Sequence, residues 1–88
     1  MIINWNKEKN EILKKTRNVS FEQVEEEILN NRILKEFKHP NQKLYKNQSI
    51  LIVKINGYVC QVPVVKNEDE IFLKTIFKSR KYNKKYNK

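Results

Sequence analysis

The C-terminal segment, residues 78–88, concentrates side chains that can bind and transform phosphates. It reads KSRKYNKKYNK and holds six of the chain's nineteen basic residues and no acidic residue. Lys and Arg release condensed counterions from a polyanion, and aromatic faces stack on unpaired bases. Tyr82 and Tyr86 lie among these charges, so the segment predicts RNA or DNA binding. The alternative for the two rings is that they pack the segment onto the rest of the protein.

Cleavage of RNA without a metal ion is a reaction that such residues support. In this reaction the RNA 2′-OH attacks the adjacent phosphorus. The enzyme must align the attack, remove the 2′ proton, stabilise the phosphorane and protonate the leaving 5′ oxygen. Arg80 is the first candidate for the phosphorane, because a guanidinium binds two oxygens at once and stays charged. Lysines of the same half add catalytic candidates, Lys81 and Lys74, and RNA-binding candidates, Lys78, Lys84 and Lys85.

His39 is the chain's single histidine and a further candidate for catalysis. Among side chains in their ordinary state, only imidazole changes its charge near neutral pH, so His39 could act as general acid or base. The alternative is a structural loop histidine, because Pro40 follows it and disfavours a helix there. The sequence leaves both interpretations open.

Composition excludes several other classes of site. A single glycine rules out a glycine-rich phosphate cradle, and one cysteine with one histidine cannot supply a metal cluster. The run Glu68-Asp69-Glu70 resembles a turn more than a cation site. We therefore expect neither a metal nor a cofactor, and Cys60, with Val59 and Val62 nearby, is predicted to be a buried thiol.

Length and charge distribution indicate one domain with a one-sided basic surface. Residues 1–40 carry eight basic and seven acidic residues, whereas residues 41–88 carry eleven and three. The 88 residues suit a single domain, with residues 79–88 as a basic tail whose composition favours disorder over a short helix. No apolar run reaches the length of a signal peptide or a membrane span, so the expected location is cytoplasmic, with no membrane partner.

Two helices are predicted in the first third of the chain. The first covers about residues 6–15, with Asn4 or Asn6 as its cap and Asn18 as a left-handed C-terminal residue. Ser20 followed three residues later by Gln23 is a capping box, which predicts a second helix that ends at residues 30–31.

A period of two residues predicts strands in the remainder of the chain. Asn56-Gly57 predicts a tight hairpin, and Pro63 predicts a bulge or an unpaired position. Alternation over the last strand places Ile76 on the face opposite Leu73. The predicted strands are residues 33–37, 50–55, 58–65 and 70–78, after a short apolar start at residues 2–5 that is interpreted as an edge strand.

Helices first and strands afterwards define the α+β class. The predicted architecture is two N-terminal helices packed on one face of an antiparallel sheet of about four strands. The opposite face would be partly open, with Lys74, Lys78 and Arg80 on or near it.

Three segments in this order resemble toxins of the BrnT type. They are Asn4-Trp5-Asn6-Lys7-Glu8-Lys9-Asn10, Asn18-Val19-Ser20-Phe21-Glu22-Gln23-Val24, and Ser79-Arg80-Lys81 with Tyr86 downstream. The family shows a W-[DN]-x-x-K start, a G-[VI]-S-F-E-E-[AV] helix start and a C-terminal S-x-R-K-A-x segment. The chain departs from this pattern, with Asn18 at the usual glycine and Thr75, next to Lys74, where an arginine is common.

The resemblance implies a RelE-like fold and a bacterial endoribonuclease that stops translation. It places Arg80 and Lys81 in the basic positions of the terminal motif and makes Trp5 the N-terminal aromatic, a further candidate for RNA contact. The partners it implies are RNA and a cognate antitoxin, a small DNA-binding protein whose contacting segment we expect to be acidic. The oligomeric state is left open.

Two other functions fit the same charge. One is a nucleic-acid-binding module without catalysis, which needs no particular geometry at Arg80 and predicts steeply salt-dependent binding without cleavage. The other is a basic protein that only docks an acidic partner and has no affinity for RNA.

Overall fold

The N-terminal elements follow directly from local capping signals. In a computed structural model that describes residues 1–87, strand β1 covers Ile2–Trp5 and helices α1 and α2 cover Lys7–Arg17 and Phe21–Leu29. The Asn6 side chain accepts from the N–H of Lys9, and the predicted capping box of α2 is complete. Asn18 has a φ of 54°, the predicted left-handed conformation. Lys88, part of the predicted tail, lies outside the described residues.

The strands form one sheet of mixed direction, with the order β1-β5-β4-β3-β2 and β6 paired with β4. Their bounds are β2 Lys35–Lys38, β3 Gln48–Ile55, β4 Tyr58–Lys66, β5 Glu70–Leu73 and β6 Phe77–Lys78. The α+β class is confirmed. The predicted antiparallel sheet of about four strands is corrected to a mixed sheet of six strands in residues 1–87, because β1 joins its edge parallel to β5 and the predicted strand over residues 70–78 is divided into β5 and β6.

Helices α1 and α2 cover one side of the sheet, called here the first face. Leu13, Phe21 and Val24 of these helices are buried in one cluster with residues of β3, β4 and β5. Apolar side chains every second residue supply the sheet's share, including Leu51 and Val53, and remove that surface from water. This side therefore holds the main hydrophobic core.

A break between β5 and β6 separates what the sequence predicted as one strand over residues 70–78. Val64 pairs with Leu73 and Gln61 with Phe77, so the three residues 74–76 face only the two residues 62–63. The extra residue is a bulge opposite Pro63, as the missing proline N–H predicted. The bulge shifts the alternation, so Ile76 lies in the core beside Leu73 and not on the opposite face as expected.

The second face carries a third helix, α3, at Arg80–Tyr86. The composition of this segment favoured disorder, and that expectation is wrong for these residues. The Tyr82 ring lies 5.9 Å from the ring of Phe37, which shares the second face with Ile50. Ile52 and Val59, on the same face, are fully buried. Packing on the sheet therefore orders a segment whose charges alone favour an extended chain.

Candidate nucleic-acid interface

Hydrogen bonds to the end of β4 hold α3 in place. The Ser79 hydroxyl caps the helix by accepting from the Tyr82 N–H at 3.2 Å, and the Ser79 N–H donates to the Val59 carbonyl at 3.0 Å. The Asn83 side-chain oxygen accepts from the Val59 N–H at 3.0 Å, and the Asn87 amide donates to the Gly57 carbonyl at 2.8 Å. These contacts fix the position of α3, and with it the positions of its side chains, relative to the sheet.

The charges of α3 have mixed effects on the helix, because Lys84 and Lys85 lie in the last turn, where the helix dipole stabilises cations. Arg80 and Lys81 occupy the first turn, where the helix dipole disfavours cations, and no acidic residue is present in that turn. Arg80 with Lys84, and Lys81 with Lys85, are like-charge pairs at a spacing of four residues, which destabilise a helix. Since the helix forms despite its own charges, its tertiary contacts must outweigh them.

None of these four cations pairs with a carboxylate within residues 1–87. All four are exposed, and the ion pairs within residues 1–87 use the cations of Lys14, Arg32 and Lys66 instead. A surface of unneutralised cations attracts polyanions through counterion release. The positive charge of α3 is thus not neutralised by carboxylates elsewhere in the described chain and remains available to a ligand.

Three aromatic rings form a row beside these cations. Tyr82 lies 5.9 Å from Phe37 and 6.1 Å from Tyr86, measured between ring centroids. The Lys81 ammonium lies 5.3 Å from the centre of the Tyr82 ring, and the Lys85 ammonium lies 5.5 Å from that of Tyr86. All three rings are half-buried. Tyr82 therefore packs α3 onto the sheet through Phe37, whereas Tyr86 packs on Tyr82 within the helix, and both rings keep some exposed surface.

The structure brings together most of the predicted site residues. Lys74 stands at the edge of the second face, where its N–H donates to the Pro63 carbonyl at 2.9 Å, and its side chain is exposed. The other predicted residues that share this region are on α3 itself, namely Arg80, Lys81, Tyr82, Lys84, Lys85 and Tyr86.

His39 follows Phe37, whose ring packs against Tyr82 of α3, by two residues, or about 7 Å along the strand direction. Its N–H donates to the Gln48 carbonyl at the start of β3. Its Nδ1 accepts from the Asn41 N–H at 3.1 Å, and its ring lies 4.1 Å from the ring of Tyr45. These contacts give His39 a structural part in the β2–β3 loop.

Lys78 and Trp5 lie on the first face, away from the aromatic row. Lys78 pairs with Cys60, a core residue, which corrects the expectation that Lys78 lies on or near the open face. Trp5 packs against the core, with its ring 5.8 Å from that of Phe21. The predicted burial of Cys60 is confirmed, and burial raises the pKa of its thiol, an effect that the charge of Lys78 partly offsets.

Three residues that shape this region were missed from the sequence. Phe37 starts the aromatic row, Asn83 fixes α3 to Val59, and the Arg17 guanidinium donates to the Ile76 carbonyl in the bulge at 2.6 Å. The repeat of Ser79, Asn83 and Asn87 at intervals of four was a usable signal, because these residues share one face of a helix. Nothing local marks Phe37 or Arg17, since their partners are distant in sequence.

Comparison of the chain with protein-family models, with curated proteins and with solved structures finds no match. Within residues 1–87, no helix has both the length and the apolar character that crossing a membrane requires. No group of three or more potential metal-ligating side chains occurs in the same residues. Helix α3 and the sheet beneath it are therefore the basis for inferring the functional class of this protein.

Proposed function

We propose that this chain binds RNA on the exposed side of α3 and cleaves it without a metal ion, as the toxin of a type II toxin–antitoxin pair. The observation that carries the proposal is that four exposed cations, without carboxylate partners among residues 1–87, share one anchored helix with two half-exposed tyrosines. The resemblance of the three sequence segments to BrnT-type toxins supports it. A RelE-like arrangement and a cytoplasmic location belong to the same proposal.

In this mechanism Arg80 would bind the non-bridging phosphate oxygens and stabilise the phosphorane, since a guanidinium offers two parallel donors. Lys81, next in the first turn, and Lys74, at the edge of the sheet, would hold the flanking phosphates. The antitoxin would act by covering these cations with an acidic segment. Binding to the folded toxin alone would also raise the toxin's stability by mass action.

A second candidate is a module that binds RNA without cleaving it. The observation that favours it is that the His39 imidazole is engaged within the β2–β3 loop, with Nδ1 accepting from the Asn41 N–H at 3.1 Å and its ring 4.1 Å from that of Tyr45. Helix α3 itself carries arginine, lysine, tyrosine and asparagine side chains. Efficient general acid–base catalysis usually uses a group with a pKa near the working pH. This candidate predicts RNA binding of the same salt dependence with intact RNA afterwards.

Cleavage and binding are best measured on the same variants. The test pair is Arg80→Ala with Lys81→Ala, and the matched control is Lys7→Ala with Lys15→Ala, which removes two exposed cations from α1 on the other side of the sheet. Each protein is incubated with labelled RNA and a chelator, and each is induced in a bacterium. The toxin proposal expects cleavage and growth arrest by the wild type and by the control only.

Other outcomes separate the candidates. Intact RNA with wild-type affinity above that of the test pair supports the non-catalytic module. Equal cleavage by the test pair and the control removes Arg80 and Lys81 from the mechanism. Absence of RNA binding by the wild type at low salt rejects both candidates.

A further inference from the structure

A pocket opens on the first face, between the last turn of α1 and strand β6. Its volume is about 330 Å³, and small-molecule sites typically enclose about 300–1,000 Å³. Three buried apolar side chains line it, Val19, Cys60 and Ile76. The pocket is therefore apolar where it adjoins the core, and it shares no residue with α3.

Two exposed cations, Arg17 of α1 and Lys78 of β6, also line this pocket. The Arg17 guanidinium donates through one Nη to the Ile76 carbonyl at 2.6 Å, which orients the group, and its other N–H groups make no hydrogen bond within residues 1–87. The Lys78 ammonium lies 5.7 Å from the centre of the Tyr58 ring. Neither cation has a carboxylate partner among residues 1–87, so the rim of the pocket is positive.

The floor of the pocket is neutral. Burial raises the pKa of the Cys60 thiol above its ordinary value of 9.0, an effect that the charge of Lys78 only partly offsets. The thiol therefore keeps its proton near neutral pH, and its Sγ donates to the Tyr58 carbonyl at 3.6 Å. Because the floor is apolar and the rim is cationic, a fitting ligand has an apolar body that ends in a single anionic group.

We infer that this pocket binds a small aliphatic carboxylate, with the carboxylate between Arg17 and Lys78 and the aliphatic chain directed toward Cys60. A guanidinium suits a carboxylate because its N–H groups form two parallel bonds to the two oxygens. The aliphatic chain would leave water for an apolar surface, which is favourable. Inorganic phosphate would satisfy only the cations, and a neutral apolar molecule would satisfy only the floor.

The test titrates the protein with three matched probes and follows its backbone amide resonances by two-dimensional NMR at constant ionic strength. Hexanoate carries both parts of the ligand, acetate carries the charge without the chain, and hexanol carries the chain without the charge. The test variant is Arg17→Gln with Lys78→Gln, which removes both charges. The control is Lys15→Gln, which removes an exposed cation from the same turn of α1 but outside the pocket.

Hexanoate should bind the wild type saturably, with a Kd of about 1 mM for a ligand of this size. The shifts should centre on the amides of Val19, Cys60 and Ile76. Hexanol should bind about tenfold more weakly, because it lacks the bonds to charged groups, and acetate should give no saturable shift at these amides. The test variant should bind hexanoate as weakly as hexanol, and the control should bind it as the wild type does.

Several results would overturn the inference. Hexanoate that gives no saturable shift, or shifts that centre on α3, would show that the pocket is not a site. Equal affinity for hexanoate and hexanol would remove the cations from it, as would unchanged hexanoate affinity in the test variant. Equal affinity for hexanoate and acetate would mean that the carboxylate only pairs with surface cations.

A second variant covers the case in which the test variant does not fold. If its amide resonances lose the dispersion of the folded chain, Lys78→Gln alone decides, because the Lys78 ammonium makes no hydrogen bond within residues 1–87. Weaker binding of hexanoate with unchanged binding of hexanol in that variant supports the inference, and unchanged binding of both contradicts it. No probe involves RNA, so the outcome is independent of the proposed function.

Discussion

The two faces of the sheet are built on opposite principles. On the first face, helices with good local signals bury an apolar core, and the buried Asn10 amide bonds both the Phe21 N–H and the Glu22 carboxylate. On the second face, α3 is held by a few bonds to β4, and its four cations have no carboxylate partner in the described part of the chain, residues 1–87. The difference teaches that the first face supplies stability, whereas the second holds charge in a position that stability alone does not favour.

The largest effect on stability should come from truncating a large core side chain on the first face. Phe21 is fully buried and stacks on Trp5, so Phe21→Ala should lower the free energy of unfolding by about 3–5 kcal/mol through lost transfer energy and a cavity. Tyr86→Ala on the second face should cost less than about 1 kcal/mol, as a partly exposed side chain. Urea unfolding of both variants measures the contrast. Equal losses would show that the two faces contribute alike.

A smaller effect should follow from releasing α3. Asn83→Ala leaves the Val59 N–H without its partner, so we expect a loss of about 1–3 kcal/mol in the stability of the docked helix. Hydrogen exchange should accelerate at α3 amides and remain slow in β3. Asn67→Ala, in the exposed β4–β5 turn, is the control. Unchanged exchange in α3 would mean that the aromatic packing holds the helix by itself.

Acid should weaken the first face through Glu22. The hydrogen bond from Asn10 is the main cause that holds the pKa of Glu22 below its ordinary value of 4.5. A lowered folded-state pKa adds stability above the unfolded-state value and loses it as pH falls through the folded-state value. The effect is modest because the carboxylate is exposed. Thermal unfolding of wild type and Glu22→Gln should therefore differ near neutral pH and converge below about pH 4; parallel curves throughout would refute this.

The smallest predicted effect is a substitution that raises stability and lowers RNA affinity. Arg80→Ala removes the like-charge pair with Lys84 and a cation from the first turn of α3, where the helix dipole disfavours it, so the free energy of unfolding should rise by about 0.2–0.5 kcal/mol. RNA affinity should fall at the same time, and the salt dependence of binding should become less steep by about one unit. Lys43→Ala, an exposed loop cation, should change neither by as much. A fall in stability would show that the α3 charges do not oppose the fold.

Much of the helical layer could be predicted because its signals are local. The Ser20–Gln23 capping box, the positive φ of Asn18 and the Asn56-Gly57 hairpin each depend on residues a few positions apart. The bulge opposite Pro63 was predictable for the same reason, since proline lacks the N–H at any position. The exact strand ends were less so, and β2 begins at Lys35 rather than at residue 33.

The candidate site could be predicted only in part. Composition identified the cations and tyrosines of residues 80–86. It favoured disorder because composition reveals the local charge repulsion but not the tertiary contacts. The bonds from Asn83 and Asn87 to β4 reverse that balance, and they join residues 24 and 30 positions apart. The separation of 45 positions between Phe37 and Tyr82 likewise concealed their contact.

The sequence by itself determined the charge of the C-terminal segment, the two N-terminal helices and the hairpin at the centre of the sheet. Composition gives the charge, and short-range sterics and capping decide the helices and the hairpin. Tertiary structure alone decided that β1 pairs parallel to β5, that Ile76 turns into the core and that the cationic segment becomes a helix beside Phe37. Those outcomes depend on burying surfaces that lie far apart in the chain. Pairing energies between such surfaces become defined only once the sheet has formed.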